Sequence, residues 1–248
     1  MDLKGKVAIV TGGGTGMGKA ISMLLAAGGA SVAVNYSRSE DDAVATAEEL
    51  TAAGVEALPI KADVSVAADV ARMIEQTERQ LGRVDILVNN AGYTQFVPMK
   101  DLDGMPEEEW DKIFDVNVKG IWLCTKAAAP AMRRQGGGAV VSISSIAGLK
   151  PAGSSMAYSV SKAAAIHLTK CLALALSPEI RVNSVAPGTV ATRWWEHVGE
   201  EGLQKMAAGL PLQRLITPEQ VATTTLELIK NDSITGQTIA LDSGALLP

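Results

Sequence analysis

Along the chain, short unbroken apolar runs alternate with longer stretches whose apolar positions recur at helical spacing. Val7-Ala8-Ile9-Val10 is the first run. Thr11 and a cluster of glycines follow it, the pattern of a buried parallel strand feeding a tight turn. A helix is predicted over about Gly16–Ala27, then a second strand at Ser31-Val32-Ala33-Val34. Glu40–Ala53 reads as a helix, Val55–Ile60 as a strand, Ala67–Leu81 as a helix and Val84–Val88 as a strand. Pro106-Glu107-Glu108-Glu109 opens a long helix, because proline suits the first turn and acids suit the amide end. That helix runs to about Arg134, where Gly136-Gly137-Gly138 stops it. Ala139–Ile143 is a strand, Ser155–Leu176 a helix ended by Pro178, and Ile180–Val185 a strand. Thr217-Pro218-Glu219-Gln220 has the form of a capping box and starts a late helix. Gln237–Leu241 closes as a seventh strand.

Strands that alternate with helices imply a mostly parallel sheet covered on both faces. The expected class is α/β: a single-domain, Rossmann-like, doubly wound parallel sheet of about seven strands. A (β/α)8 barrel is the competing architecture; the glycine-rich turn after the first strand favours the open sheet. No linker, repeat or low-complexity segment divides the 248 residues, so one domain over 1–248 is expected.

Composition narrows the function. Twenty-two basic and 27 acidic side chains give a net charge of −5, and no Lys/Arg cluster suggests a nucleic-acid surface. The adjacent pair Arg133-Arg134 reads as the solvated, dipole-complementing end of a helix. Cys124 and Cys171 lie far apart in apolar helical runs and read as buried free thiols, with neither metal motif nor disulfide framework. No run looks long enough to span a bilayer and no signal peptide is seen, so a cytoplasmic protein without membrane contact is expected.

The candidate chemistry begins at Thr11-Gly12-Gly13-Gly14-Thr15-Gly16-Met17-Gly18, between the first strand and the first helix. A nucleotide pyrophosphate needs backbone amides and a helix N-terminus pointing at it, and glycine where a Cβ would block the approach. The spacing G-x-x-x-G-x-G differs from the commoner G-x-G-x-x-G. With this turn the sequence resembles the short-chain dehydrogenase/reductase family, closest in appearance to its 3-oxoacyl-carrier-protein reductase-like members. Further motifs of that family follow in order over almost the whole chain. They are Asp63-Val64 after strand three, Asn89-Asn90-Ala91-Gly92 at the end of strand four, Asn117 in the long helix, Ser145 after strand five, Tyr158-x-x-x-Lys162, and Pro187-Gly188-Thr189-Val190-Ala191-Thr192 after strand six.

The resemblance implies a nicotinamide cofactor held by Gly12, Thr15, Gly16, Met17 and Gly18, by Asp63 and Val64, and by Asn90, Ala91 and Gly92. Pro187, Gly188, Val190 and Thr192 would hold the nicotinamide side, with Tyr158 and Lys162. The end of strand two selects the form of cofactor. An acid there would bind the ribose hydroxyls and repel a 2′-phosphate. Here Tyr36 takes the acid's place, and Ser37 and Arg38 suit a phosphate. NADP (NADPH) is therefore the expected cofactor, with NAD possible.

Tyr158 and Lys162 are four apart and share one helix face. A tyrosine is a poor base at neutral pH; an adjacent ammonium and an oxidised nicotinamide would both favour its phenolate. By resemblance Tyr158 is the general acid/base, Ser145 steadies the substrate oxygen, Lys162 also holds the nicotinamide ribose, and Asn117 binds a relay water. Ser145 is chosen from Ser142, Ser144 and Ser145 by its family distance from the tyrosine. The segment at about 189–212 is expected to be a substrate lid, with Trp194 and Trp195 as pocket walls beside Tyr93, Gln95, Phe96 and Met156. Neither His167 nor His197 is given a role, and no metal site is expected.

The function implied is hydride transfer between NAD(P)(H) and a ketone or secondary alcohol, with a small-molecule carbonyl or alcohol as substrate. Reduction of a 3-oxoacyl thioester on a carrier protein is the alternative; the acidic loop Ser177-Pro178-Glu179 argues against a carrier. A cofactor-sensing protein without turnover is the alternative from another class. The long helices at about 106–134 and 155–176 imply, by family, a homotetramer.

Overall fold

The computed structural model describes residues 1–247, apart from the side chains of Glu196 and His197, so His197 lies outside the described residues. Seven strands form one sheet: β1 (Val7–Val10), β2 (Ser31–Tyr36), β3 (Ala57–Lys61), β4 (Ile86–Asn89), β5 (Gly138–Ile143), β6 (Ile180–Pro187) and β7 (Thr238–Leu241). Their order is β3-β2-β1-β4-β5-β6-β7 and every pairing is parallel. The helices are α1 (Gly16–Ala27), α2 (Glu40–Ala52), α3 (Ala67–Leu81), α4 (Glu107–Phe114), α5 (Gly120–Arg134), α6 (Met156–Leu176), α7 (Gly199–Ala208) and α8 (Pro218–Lys230). This is the doubly wound Rossmann-like sheet expected. The chain reverses direction across the sheet between β1 and β4, and the two turns that diverge there leave a crevice at the strands' carboxyl ends.

Strand alternation divides the core into two layers. Ala8 and Val10 pack with Leu25, Val34, Leu50 and Val141 on one face. Ile9 packs with Ile60, Met73, Leu87 and Val140 on the other. Because successive side chains point to opposite faces, a run buried on both sides reads as unbroken apolar sequence.

Four details depart from the sequence reading. β2 runs two residues further, through Asn35 and Tyr36, which pair with Ile60 and Lys61. The long helix is broken by a π-helical turn at Asp115–Lys119, with Pro106 as N-cap rather than first residue. Cys124 is buried but Cys171 is exposed. The reason is periodicity: the buried stripe of α6 follows Ala157, Ser161, Ala165, Thr169 and Ala173, and Cys171 falls off it. Lastly, α6 is long and apolar enough, by length and composition, to cross a membrane, contrary to the expectation that no run is. It packs here against β6 and the turn at Ile146–Gly148, as a helix covering a sheet does. The Thr217 capping box is present with both of its hydrogen bonds.

Candidate active site

The turn after β1 is built for close approach. Gly12 and Gly16 have φ of +61° and +49°, conformations that side chains rarely adopt. A Cβ on Gly18 would stand 2.0 Å from the Gly12 carbonyl oxygen, and one on Gly14 2.7 Å from Ala43 Cα. No side chain caps α1, and its first turn carries no acid. Its leading N–H groups are therefore free for an anion, and no carboxylate opposes one. The turn is tied to the next strands by polar side chains. Thr11 Oγ1 accepts from Asn90 N (2.9 Å) and Ala91 N (3.0 Å), and Asn90 Nδ2 donates to the carbonyls of Thr11 (2.9 Å) and Gly12 (3.0 Å). Asn35, buried, accepts from Gly12 N at 3.3 Å and donates to the Ile60 and Ala62 carbonyls at 3.2 and 3.0 Å. The sequence reading missed this tie, because a buried asparagine interrupts the apolar run that marks a strand.

The turn forms one end of a cleft of about 1120 Å³. Tyr36, Ser37, Arg38, Asp63 and Val64 line it beyond β2 and β3; Asn90, Ala91 and Gly92 line its middle. Ser145, Tyr158 and Lys162 line the far side, with Pro187, Gly188, Val190 and Thr192. The last segment is held down by a bridge from Val190 to Ile216 and by the Gly188 N–H on Leu241 O at 2.8 Å. Gly18 and Asn117 are not lining residues: Gly18 lies beneath the turn, and Asn117 is buried behind the wall.

At the far side, Ser155 caps α6 by accepting the Tyr158 N–H at 3.2 Å. The cap fixes the first turn of the helix, and with it the direction of the phenol. Gly153, at φ +99°, lets the preceding loop run beside the ring, where a Cβ would come within 3.1 Å of Tyr158 Cδ1. One turn on, Lys162 Nζ donates to the Ile143 carbonyl at 3.0 Å and stands 5.5 Å from the Tyr158 ring centroid. The two candidate serines separate clearly. Ser144 is buried, donates to Val185 O at 2.9 Å and accepts from Ser184 Oγ at 2.7 Å. Ser145 Oγ accepts from Ala147 N at 3.1 Å, donates to Pro187 O at 3.5 Å, and lies near enough to the Tyr158 phenol to favour its phenolate.

Burial dominates the acid/base balance. It pushes the Tyr158 phenol up to about 12, against the lowering effect of Ser145. It pushes the Lys162 ammonium down to about 8. The lowering of the tyrosine by an adjacent ammonium, anticipated from the sequence, is outweighed in the protein alone by the loss of solvent around both groups.

Asn117 sits in the π turn, which projects it from the helix. Its carboxamide accepts from Tyr93 N (2.8 Å) and donates to Tyr93 O (2.9 Å) and Ser161 Oγ (3.1 Å). Both amide protons are thus committed to protein acceptors. A water at this side chain would have to donate to Oδ1. The missing Cβ of Gly92 leaves a gap that Asn117 Oδ1 and Lys162 Nζ face from 3.6 and 3.8 Å.

The expected substrate walls divide. Phe96, Trp194 and Trp195 line the cleft. Trp194 lies 6.1 Å from Tyr158, centroid to centroid, and Phe96 meets Trp195 edge-on at 6.1 Å. Gln95 is exposed and outside the lining, because the extended segment after Gly92 turns it outward. Met156 lines a separate, neighbouring cavity of about 440 Å³ with Val97 and Trp110. Tyr93 lines the cleft, but its ring lies against Lys112 and near Arg38, toward the β2 end rather than beside Tyr158. Lys112, Val116 and Met206 are lining residues that no motif marked. Among the described residues, no group of His, Cys, Asp or Glu could hold a metal ion.

A family model described as short chain dehydrogenase matches residues 6–202. A protein named as ketoacyl reductase 2 of the granaticin polyketide synthase of Streptomyces violaceoruber is 42% identical over 247 residues, covering 97% of this chain and 96% of the relative. A 3-oxoacyl-[acyl-carrier-protein] reductase of Staphylococcus aureus is 38% identical over 242 residues, covering 96% and 97%. Among solved structures, a 7α-hydroxysteroid dehydrogenase complexed with NADH and 7-oxo glycochenodeoxycholic acid superposes with a TM-score of 0.91 at 34% identity, covering 98% and 94%.

Proposed function

The chain belongs to the short-chain dehydrogenase family of oxidoreductases, and on that premise we propose that it reduces a ketone, or oxidises the matching secondary alcohol, with NADP(H). The observation that carries this reading is one cleft with a glycine cradle at one end and Tyr158, Ser145 and Lys162 at the other. The cradle fits a dinucleotide: its floor has no room for side chains, and free helix amides face it. Gly12, Thr15, Gly16 and Met17 would hold the pyrophosphate, with Gly18 giving α1 its close packing. Ser37 and Arg38 would meet a 2′-phosphate beside Tyr36, and Asp63, Val64, Asn90, Ala91 and Gly92 the rest of the adenosine half. Lys162, Pro187, Gly188, Val190 and Thr192 would hold the other half. When bound, the cofactor supplies or accepts the hydride.

The chain's own residues handle the proton. With its phenol near 12, Tyr158 is protonated at neutral pH and ready to donate to a carbonyl oxygen, which favours the reductive direction. Ser145 donates a hydrogen bond to the same oxygen as negative charge develops on it. Lys162, at about 8, is still mostly an ammonium at pH 7, stabilises the phenolate left behind, and can reprotonate it. Asn117 positions the Tyr93 segment that closes the back of this space. In oxidation the same groups act in reverse, and burial of the phenol must first be overcome. We further take residues 189–212 as a substrate lid within one domain, and the protein as a cytoplasmic homotetramer.

A second reading, reduction of a 3-oxoacyl thioester, is favoured by the names of two relatives. One experiment addresses both. NADPH and NADH absorbance is followed with free ketones, ketoesters and acyl thioesters, for the native protein and Tyr158→Phe. NADPH consumption that falls by a factor of about 100 or more in Tyr158→Phe supports the mechanism; the active substrates name the class. Unchanged turnover in the variant would refute it.

A further inference from the structure

At the β2 end of the cleft, two cations converge on one aromatic ring. The Arg38 guanidinium carbon stands 6.0 Å from the Tyr93 ring centroid, and Lys112 Nζ stands 4.1 Å from it. Tyr93 is held at both ends. Asn117 grips the Tyr93 backbone at both N–H and carbonyl. The Tyr93 hydroxyl donates to Glu109 Oε2 at 2.6 Å, and Lys112 stands 3.7 Å from Glu109 Oε1. Glu109 and Lys112 are three apart on α4 and share its face.

Arg38, Tyr93 and Lys112 all line the cleft, whereas Glu109 lies behind them. The Glu109 carboxylate is already engaged by the phenol and one ammonium, so the array turns net positive charge toward the cleft. Contact with Tyr93 also holds the Lys112 ammonium in its charged form. The carboxylate of Glu40, at the start of α2, acts on the nearby Tyr36 hydroxyl and is not among the residues that line the cleft. A phosphate monoester carries close to two negative charges at neutral pH, and one guanidinium balances only one of them.

We propose that Lys112 is a second specificity-determining cation at the adenosine end of the cleft, acting with Arg38 on the phosphate that distinguishes NADP from NAD, with Tyr93 and Glu109 setting its position. This rests on the NADP reading above. The cation comes from the wall opposite β2, and its place is fixed through the same tyrosine whose backbone Asn117 holds.

The test is calorimetric binding of 2′,5′-ADP and of 5′-AMP to the native protein, Lys112→Met, Lys112→Arg and Arg38→Met, at low and high salt. The Lys112 side chain is about half exposed, so its variants retain the fold. Lys112→Met is expected to weaken 2′,5′-ADP by about tenfold, to change 5′-AMP by less than about twofold, and to flatten the salt dependence, as loss of one charge-assisted contact requires. Lys112→Arg should keep most of the preference. If the native protein favours 2′,5′-ADP and Lys112→Met favours it equally, Arg38 acts alone and the proposal is overturned. Equal weakening of both ligands would mark Lys112 as merely structural and also overturn it. A native protein indifferent to the 2′-phosphate would sink the NADP reading itself.

Discussion

Replacing Lys162 by methionine should stabilise the fold at neutral pH while removing activity. Lys162 is almost wholly buried, and burial lowers its ammonium from 10.5 to about 8. Below pH 8 the lysine is charged in both folded and unfolded chains, and the folded state carries the desolvation penalty. Between 8 and 10.5 the folded chain loses the proton while the unfolded chain keeps it. Stability from this group therefore rises with pH through that window; it is fully present above 10.5 and lost as pH falls through 8. The displacement corresponds to roughly 3 kcal/mol. Methionine removes that penalty but also the hydrogen bond to Ile143 O, worth about 1.5–3 kcal/mol when the donor is charged. The net gain at pH 6–7 is about 1 kcal/mol, a rise in Tm of roughly 2–4 °C for a chain of this size. Near pH 10 the native amine is neutral and still bonded while the unfolded lysine is only partly deprotonated, so a residual penalty of roughly 1 kcal/mol offsets the hydrogen bond and the stabilities of the two proteins converge. Ionisation of Tyr158, whose raised value makes stability fall as pH rises from 10 through 12, is common to both proteins and cancels in the comparison. Thermal melts of the two proteins from pH 6 to 10 read the difference directly. A difference that does not change with pH would refute the argument, whatever its size.

Other outcomes follow from single contacts. Gly18→Ala places a methyl 2.0 Å from the Gly12 carbonyl oxygen and 2.6 Å from Asn90 Nδ2. Denaturant unfolding should show a loss of about 3 kcal/mol or more, and dinucleotide binding should fail with it. Ser145→Ala should lower kcat by about 100-fold or more, the effect of removing one donor to a developing oxyanion. Ser144→Ala should leave kcat within a fewfold range and reduce stability by about 1–2 kcal/mol, because the Val185 carbonyl and Ser184 lose a partner. Steady-state kinetics and melts on the pair separate the two serines, and an inactive Ser144→Ala with an active Ser145→Ala would reverse the assignment. Trp194→Ala should raise KM for a bulky ketone by about tenfold with kcat little changed, since its indole lines the cleft beside Tyr158 and an aromatic wall contributes about 1 kcal/mol beyond its area. A kcat loss as large as that of Tyr158→Phe would show that the indole orients the tyrosine instead.

The chain order of strands and helices, the glycine turn, and the Tyr158–Lys162 spacing were legible in the sequence because each is local. An unbroken apolar run records burial on both faces, a capping box records a helix start, and a spacing of four records a shared face. Helices α1 and α3 fell where the pattern put them, and so did the Thr217 cap. Errors arose where a polar residue served a long-range partner. Asn35 ends an apolar run yet extends β2, because its amide is satisfied by carbonyls some 25 residues away. Asn117 reads as an ordinary helical asparagine, and only the π turn and Tyr93 give it a place.

What the tertiary structure alone decided is direction. It turned Ser144 toward β6 and Ser145 toward the phenol, sent Gln95 to solvent and Met156 into a neighbouring cavity, and carried Tyr93 to the β2 end of the cleft beside Arg38 and Lys112. In the protein alone, burial rather than the adjacent ammonium dominates the Tyr158 phenol. Local sequence dictates which groups exist and which turn or strand end carries them. Which way each points, and how much water it keeps, depends on residues distant in the chain that pack around it, and no local pattern records those neighbours.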